Sequence, residues 1–351
     1  LALTLLIYFL AGYTLSFGPD LGGLIGGLDF LGLGGVGVEP KGTVPHLLFM
    51  AFQGMFAAIT VALITGAFAE RIKFSAVVVF SLLWAFIVYD PLCHWVWGGG
   101  WLQKLGVLDF AGGIVVHISS GVSALVAAIY IGRRRGWPRE LMAPHNLTLT
   151  VMGMGILWFG WFGFNAGSAL ASDGVAVTAF VSTNVSAAVG TLTWGFIEWA
   201  HRGKPTLLGA MSGAVAGLGS ITPAAGFVTP AAAMAIGLVG GGLCYVAVTM
   251  LKPRFGYDDT LDVFGIHGIA GTWGTLATGI FASIGASGLL HGNPGLLLKQ
   301  AIGASVTIVL SAAGTLAILK VVDMTIGIRV TTEEEIQGLD LTQHEESGYT
   351  M

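Results

Sequence analysis

Two histidines stand where an ionisable side chain needs a reason. His117 falls within residues 110–132 and His267 within 263–298, stretches without a single Asp, Glu, Lys or Arg. A neutral imidazole carries one donor and one acceptor nitrogen, so a touching pair can pass a proton or hydrogen-bond a small polar guest inside an apolar wall. The bland alternative for each is a structural ring satisfied by a backbone carbonyl. Aromatic side chains form a second group. Phe52 and Phe56 are four apart and Trp161 and Phe164 three apart, spacings that share a helix face. Ser168 lies four beyond Phe164, and Trp97 opens a Trp-Gly-Gly-Gly-Trp run. Aromatic rings with one hydroxyl suit a small cation, at roughly 2 kcal/mol per desolvated cation–π contact. An interfacial aromatic belt accounts equally well for Trp95, Trp97 and Trp101, and less well for the phenylalanines.

These groups need long helices to hold them. The 351 residues are 54% hydrophobic and 10% charged, with mean hydropathy +0.82. Charge-free runs at 110–132, 141–172, 174–197, 205–251, 263–298 and 300–319 predict an all-α polytopic membrane protein. Ten spans are expected near 1–18, 45–69, 74–96, 109–132, 143–167, 174–199, 205–222, 229–251, 259–284 and 298–322. The break inside 205–251 is placed between Thr222-Pro223 and Thr229-Pro230. The runs do not alternate, which excludes barrel strands. A net charge of −4 without a basic patch excludes nucleic-acid binding, and Cys93 and Cys244 provide neither a disulfide framework nor a metal motif.

Twelve of the fifteen basic residues, among them Arg71, Arg134, Lys252 and Arg329, fall on one side if residue 1 starts in the cytoplasm; only Lys41, Lys104 and Lys299 fall outside. That predicts a transmembrane domain over 1–322 and a cytoplasmic tail over 323–351. Spans four and nine then run in opposite directions, the signature of an inverted repeat. Each histidine is eight residues into its span, roughly 12 Å deep at 1.5 Å per residue, so the two approach the midplane from opposite sides. Asp109 and Asp262 open those spans, where carboxylates cap free N–H groups. Fifty-five glycines point to close helix crossings around a narrow conduit.

At these residues the chain resembles the Amt branch of the ammonium transporter family, Amt/Mep/Rh. The resemblance runs end to end, through Ala51-Phe-Gln-Gly-Met-Phe56, Gly66-Ala-Phe-Ala-Glu-Arg71, Trp97-Gly-Gly-Gly-Trp101, Asp109-Phe-Ala-Gly-Gly-Ile-Val-Val-His117, Gly160-Trp-Phe-Gly-Phe-Asn-Ala-Gly-Ser168 and Asp262-Val-Phe-Gly-Ile-His267. It implies an outer ammonium-recruitment site at Phe52, Trp97 and Ser168, and a stacked gate at Phe56 and Phe164. It further implies a pore lined by His117 and His267, with Asp109 ordering the outer site. The resemblance also implies a homotrimer in the cell membrane with one pore per subunit, no cofactor, and a cytoplasmic face open to a PII-type signalling protein. Gly338-Leu-Asp340 resembles the family's regulatory C-terminal segment. The family has eleven spans and this sequence shows ten, its first matching the family's second, so the sequence as given is expected to be incomplete. Transport is the expected function rather than enzymatic catalysis, since a metal site on the histidines would need a third convergent ligand. An ammonium sensor signalling through its cytoplasmic face is the alternative of another class.

Overall fold

Backbone groups in lipid have no water to bond, so each crossing must satisfy its own N–H and C=O groups as a helix. A computed structural model of the protein describes residues 1–349 and contains, in that range, ten long helical rods. They are α1 (Ala2–Phe17), α2 (His46–Thr65), α3 (74–97), α4 (Gly113–Ile131), α5 (Leu147–Ala166), α6 (Gly174–Arg202), α7 (Leu207–Ile221), α8 (Pro230–Phe255), α9 (264–281) and α10 (Pro294–Ile326). Two short helices, α11 (Thr332–Gln337) and α12 (Leu339–His344), follow. Large apolar side chains such as Ile156, Phe159 and Val309 face outward, as a bilayer-embedded surface requires.

Local chemistry sets the helix starts. Asn146, Asp173, Thr206 and Thr229 each accept backbone N–H bonds at the openings of α5, α6, α7 and α8, and Pro230 takes the first position of α8, where no N–H is needed. The break expected between Thr222 and Pro230 is present, because α7 ends at Ile221. α10 runs 33 residues, about 50 Å at 1.5 Å per residue. It is therefore tilted across, or overhangs, a hydrocarbon core of about 30 Å. The segment between α1 and α2 carries two small antiparallel hairpins, Asp20–Leu21 with Ile25–Gly26 and Pro40–Lys41 with Val44–Pro45. They lie at one end of the bundle, the hairpin end.

The opposite end is basic and clasped by two arginines. Arg71, fully buried, donates to the carbonyls of Ala67, Gly132 and Asp258 and to Thr260 Oγ1, joining the ends of α2 and α4 to the approach to α9. Arg134 forms a two-pronged pair with Asp258, Nε to Oδ2 at 2.9 Å and Nη2 to Oδ1 at 2.8 Å. Arg329 then ties the chain after α10 to this clasp, donating to the carbonyls of Ile131 and Arg133 and to Glu335 Oε2.

α4 and α9 cross at the centre with glycines at the contact. A Cβ on Gly121 would lie 2.3 Å from Gly268 Cα, and one on Gly271 would lie 2.7 Å from His117 Cβ. Both helices open with π-type turns, 113–118 and 264–268, and each histidine sits on that wider turn. The expected starts of these spans, 109 and 259, prove to be capping segments, so the helices themselves begin four and five residues later.

Asp109 caps α4 with both carboxylate oxygens. Oδ1 accepts from the N–H groups of Gly112 and Gly113 at 2.9 and 2.7 Å, and Oδ2 from those of Ile114 and Val115 at 2.8 and 3.1 Å. The residue in the matching place on α9 is Asp259 rather than Asp262. Asp259 precedes His267 by eight residues, as Asp109 precedes His117, and its Oδ2 accepts from Phe264 N–H at 2.8 Å. Asp262 sits in the left-handed region at φ +59° and its carboxylate takes Lys252 Nζ at 2.7 Å. The three-residue turn 260–262 shifted the apparent pairing in the sequence. Replacing Asp109 by Ala strands four buried N–H groups, at about 1–3 kcal/mol for each group left without a partner. Thermal scans in detergent are expected to show D109A destabilised by at least about 4 kcal/mol on that reckoning, with D109N intermediate because one carbonyl oxygen remains to accept.

Candidate functional site

The rings of His117 and His267 meet at the α4–α9 crossing. Their Nδ1 atoms are 3.2 Å apart and the rings lie nearly parallel, with centroids 5.2 Å apart and planes inclined by 15°. A hydrogen bond between two Nδ1 atoms needs one protonated and one bare nitrogen. A neutral pair is therefore locked into opposite tautomers, one ring presenting an acceptor Nε2 and the other a donor Nε2. Exchange of the Nδ1 proton, with matching proton transfers at the two outer nitrogens, reverses the pair. His117 Nε2 is buried and has no hydrogen-bond partner among the described residues. Both rings are at least nine-tenths buried.

The surroundings are apolar. A cavity of about 450 Å³ runs beside the pair, walled by Ile59, Val116, Trp161 and Phe164 and reaching Leu1 and Leu5 of α1. Trp161 lies flat against His117, centroids 5.5 Å apart at 16°. Its Nε1 donates to Thr222 Oγ1 at 2.9 Å, which fixes the ring plane. Sequence reading paired Trp161 with Phe164 on one helix face but gave it no role; that spacing was the available signal.

Phe164 of α5, which lines the cavity, meets Phe56 of α2, with ring centroids 4.5 Å apart. Their planes are tilted by 42°, not in the parallel stack expected. Phe52 meets Phe56 edge-on, with centroids 4.9 Å apart at 79°, instead of stacking face to face. Edge-to-face contact turns a positive ring edge to a negative face, which favours this geometry.

Above the phenylalanines lie Phe52, Trp97 and Ser168, all partly exposed. Phe56 bridges to Trp97, edge-to-face with centroids 5.6 Å apart, and Phe52 packs against Gly167 beside Ser168. Ser168 Oγ donates to the Phe164 carbonyl at 2.8 Å, leaving its lone pairs to accept from a guest. Trp97 Nε1 donates to the Asp109 carbonyl at 2.8 Å, so the residue that caps α4 also orients the tryptophan. The residues singled out in the sequence are joined by contacts: Phe56 meets Phe52, Trp97 and Phe164, Ser168 bonds the Phe164 carbonyl, and Phe164 meets His117, whose ring meets His267. Asp262 stands apart, with Lys252 at the basic end.

Comparison with known proteins gives this arrangement its context. Residues 1–349 match the model of the Ammonium Transporter Family. The chain is 53% identical to the ammonium transporter of Bacillus subtilis, covering 99% of this chain and 88% of that protein. It is 51% identical to ammonium transporter Amt1 of Archaeoglobus fulgidus, covering 100% and 88%. Among solved structures it superposes on Saccharomyces cerevisiae Mep2 with a TM-score of 0.88 at 38% identity, over 95% of this chain and 78% of that one. A structure described as a sensor Amt protein superposes with a TM-score of 0.90 at 31% identity, over 98% and 87%. The whole described length, the helical architecture and the relatives agree: this chain is a multi-pass membrane protein that belongs to the ammonium transporter family.

Proposed function

We propose that the protein carries ammonium across a cell membrane by stripping one proton from it and passing ammonia beside the histidine pair. The observation that supports this reading best is the buried His117 Nε2, which has no hydrogen-bond partner among the described residues, on a ring that lines an apolar cavity together with His267 and Phe164. A bare cation in such a conduit faces an idealised desolvation cost on the order of 20 kcal/mol. Neutral ammonia avoids that cost and retains a lone pair and three N–H groups for hydrogen bonding.

In this scheme ammonium loses its water at the mouth, held over the faces of Phe52 and Trp97 and donating to Ser168 Oγ. Beneath Phe56 and Phe164 one N–H bond of ammonium breaks and its proton passes to His117 Nε2. A proton moves from His117 Nδ1 to His267 Nδ1, and His267 releases one from its Nε2 toward the far side. Ammonia crosses in parallel and regains a proton from water there, so one positive charge moves in each passage, and both rings must return to their starting tautomers before the next. Potassium, similar in size, has no proton to surrender and meets the full desolvation barrier. Asp109 acts in this scheme through structure, as cap of α4 and acceptor-bearing support of Trp97, and Asp262 acts through its ion pair with Lys252.

The basic end is assigned to the cytoplasm by the excess of Arg and Lys there, with residues 1–322 as the conducting domain and 323–351 as a cytoplasmic tail. A homotrimer with a face for a PII-type signalling protein belongs to the same reading and rests on the family resemblance. Curated relatives at about half identity are named transporters, which favours transport over a sensor role.

The direct test is current from purified protein in a supported membrane after an ammonium jump, with a potassium jump as control. A saturable ammonium current without a potassium response is expected. Absent current with a pH change inside vesicles would replace charge movement by ammonia conduction, and absence of both would overturn transport. A second expectation concerns the pair itself. His117→Asp replaces the neutral wire by a carboxylate that attracts any monovalent cation, so potassium current is expected to rise at least tenfold; unchanged ammonium-over-potassium selectivity would reject the wire as the selectivity element.

A further inference from the structure

The tryptophan at the mouth ends a helix whose last turn is anchored by a second, unrelated histidine. His94, one turn before Trp97 on α3, is fully buried. Its Nδ1 lies 3.0 Å from the Ser16 carbonyl oxygen and its Nε2 lies 3.0 Å from Asp20 Oδ1. A carbonyl oxygen can only accept. Asp20 can only accept as well when ionised, and it is held ionised: Lys104 first, and His94 second, bring its carboxyl down to about 2. Gly23 N–H also donates to Oδ1 at 2.7 Å, and Lys104 Nζ bonds Oδ2. Both ring nitrogens of His94 thus face obligate acceptors, an arrangement only a ring with two N–H donors satisfies.

We infer that His94, donating from its two ring nitrogens to Ser16 and Asp20, is a positioning residue that fixes Trp97 over the mouth of the pore. This rests on the proposed role of Trp97 in receiving ammonium. The route from His94 to Trp97 is short and made of backbone. The His94 carbonyl accepts from the N–H groups of Gly98 and Gly100 at 3.0 and 2.9 Å, on the far side of Trp97. Gly98 is wedged against the same anchor, since a Cβ there would lie 1.9 Å from Ser16 O and 2.7 Å from His94 Nδ1. The hairpin beyond Asp20 grips the loop again, with Trp101 N–H donating to the Gly23 carbonyl at 3.0 Å and Trp95 Nε1 to the Leu24 carbonyl at 2.7 Å. The Asp20–His94 bond therefore joins the α1 hairpin to the tryptophan loop, while Asp109 holds the ring from below. His94 touches neither the cavity nor the central pair. Its loss is expected to loosen the mouth and leave the conduit intact.

The test uses the full chain in proteoliposomes, with ammonium-dependent current as readout, in H94Q, K104M and W97L variants. A glutamine cannot reproduce the ring's two opposed donors. H94Q is expected to raise KM for ammonium about tenfold, in line with one charge-assisted bond, with maximal current within twofold of the parent. Lys104 has a side chain that is 60% exposed, so K104M folds even where H94Q does not. By freeing one Asp20 oxygen it is expected to raise KM two- to threefold, an order of magnitude suited to an exposed ion pair. Nitrogen-15 NMR of ring-labelled histidine should show one signal set with both nitrogens protonated at neutral pH, absent from H94Q. A neutral His94 ring, or maximal current falling with KM unchanged in H94Q and K104M, overturns the inference. W97L with raised KM beside H94Q and K104M at the parent KM overturns the inference alone. W97L at the parent KM removes Trp97 from ammonium reception, and the positioning role of His94 falls with it.

Discussion

Four backbone N–H groups converging on one buried carboxylate set the geometry of the centre. Asp109 satisfies donors at the opening of α4 that would otherwise face lipid-like surroundings with no acceptor. The cap also fixes where the π-type turn begins, and so where His117 points. Its own carbonyl takes Trp97 Nε1. One residue thereby links the mouth to the pore centre, through hydrogen bonds on both its side chain and its backbone. Asp259 repeats the cap on α9, and the two antiparallel helices bring like turns to a common crossing. With no Cβ at Gly121 or Gly271, the backbones come close enough for the rings to share a proton.

Much of this was legible in the sequence because lipid is an exacting solvent. A histidine in a charge-free run is conspicuous, and the direction of each span follows from where Arg and Lys collect. The pairing of His117 with His267 could be anticipated from counting depth alone. Asp259 could not be separated from Asp262 by motif likeness, since Asp262-Val-Phe-Gly-Ile-His267 looks closer to the first repeat than the true cap does. Equal spacing before the histidine was the better guide, because a cap must reach the first free N–H groups whatever lies between. The tilt of Phe56 on Phe164 was hidden for another reason. Spacing of three or four tells which face a ring is on, whereas its plane depends on neighbours such as Trp97 from other helices.

His94 was illegible for a third reason. At a span end beside tryptophans it reads as an interfacial residue, and its partners Ser16 and Asp20 lie 78 and 74 positions away. Only the fold reveals that both of its nitrogens meet acceptors. The two kinds of histidine in this protein then differ by what faces them. Where acceptors face both nitrogens, as at His94, the ring is engaged on both sides. Where another imidazole faces one nitrogen in an apolar wall, a single proton is shared between the two rings. The proposed path needs both conditions in order: a mouth held rigid enough to select a cation, then a centre that refuses its charge. A mouth without the refusing centre would admit potassium. A neutral centre without the ordered mouth would have no means of gathering ammonium from water, where it is well solvated. Selectivity in this reading belongs to the sequence of environments along the contacts from Trp97 to His267, and no single residue among them holds it alone.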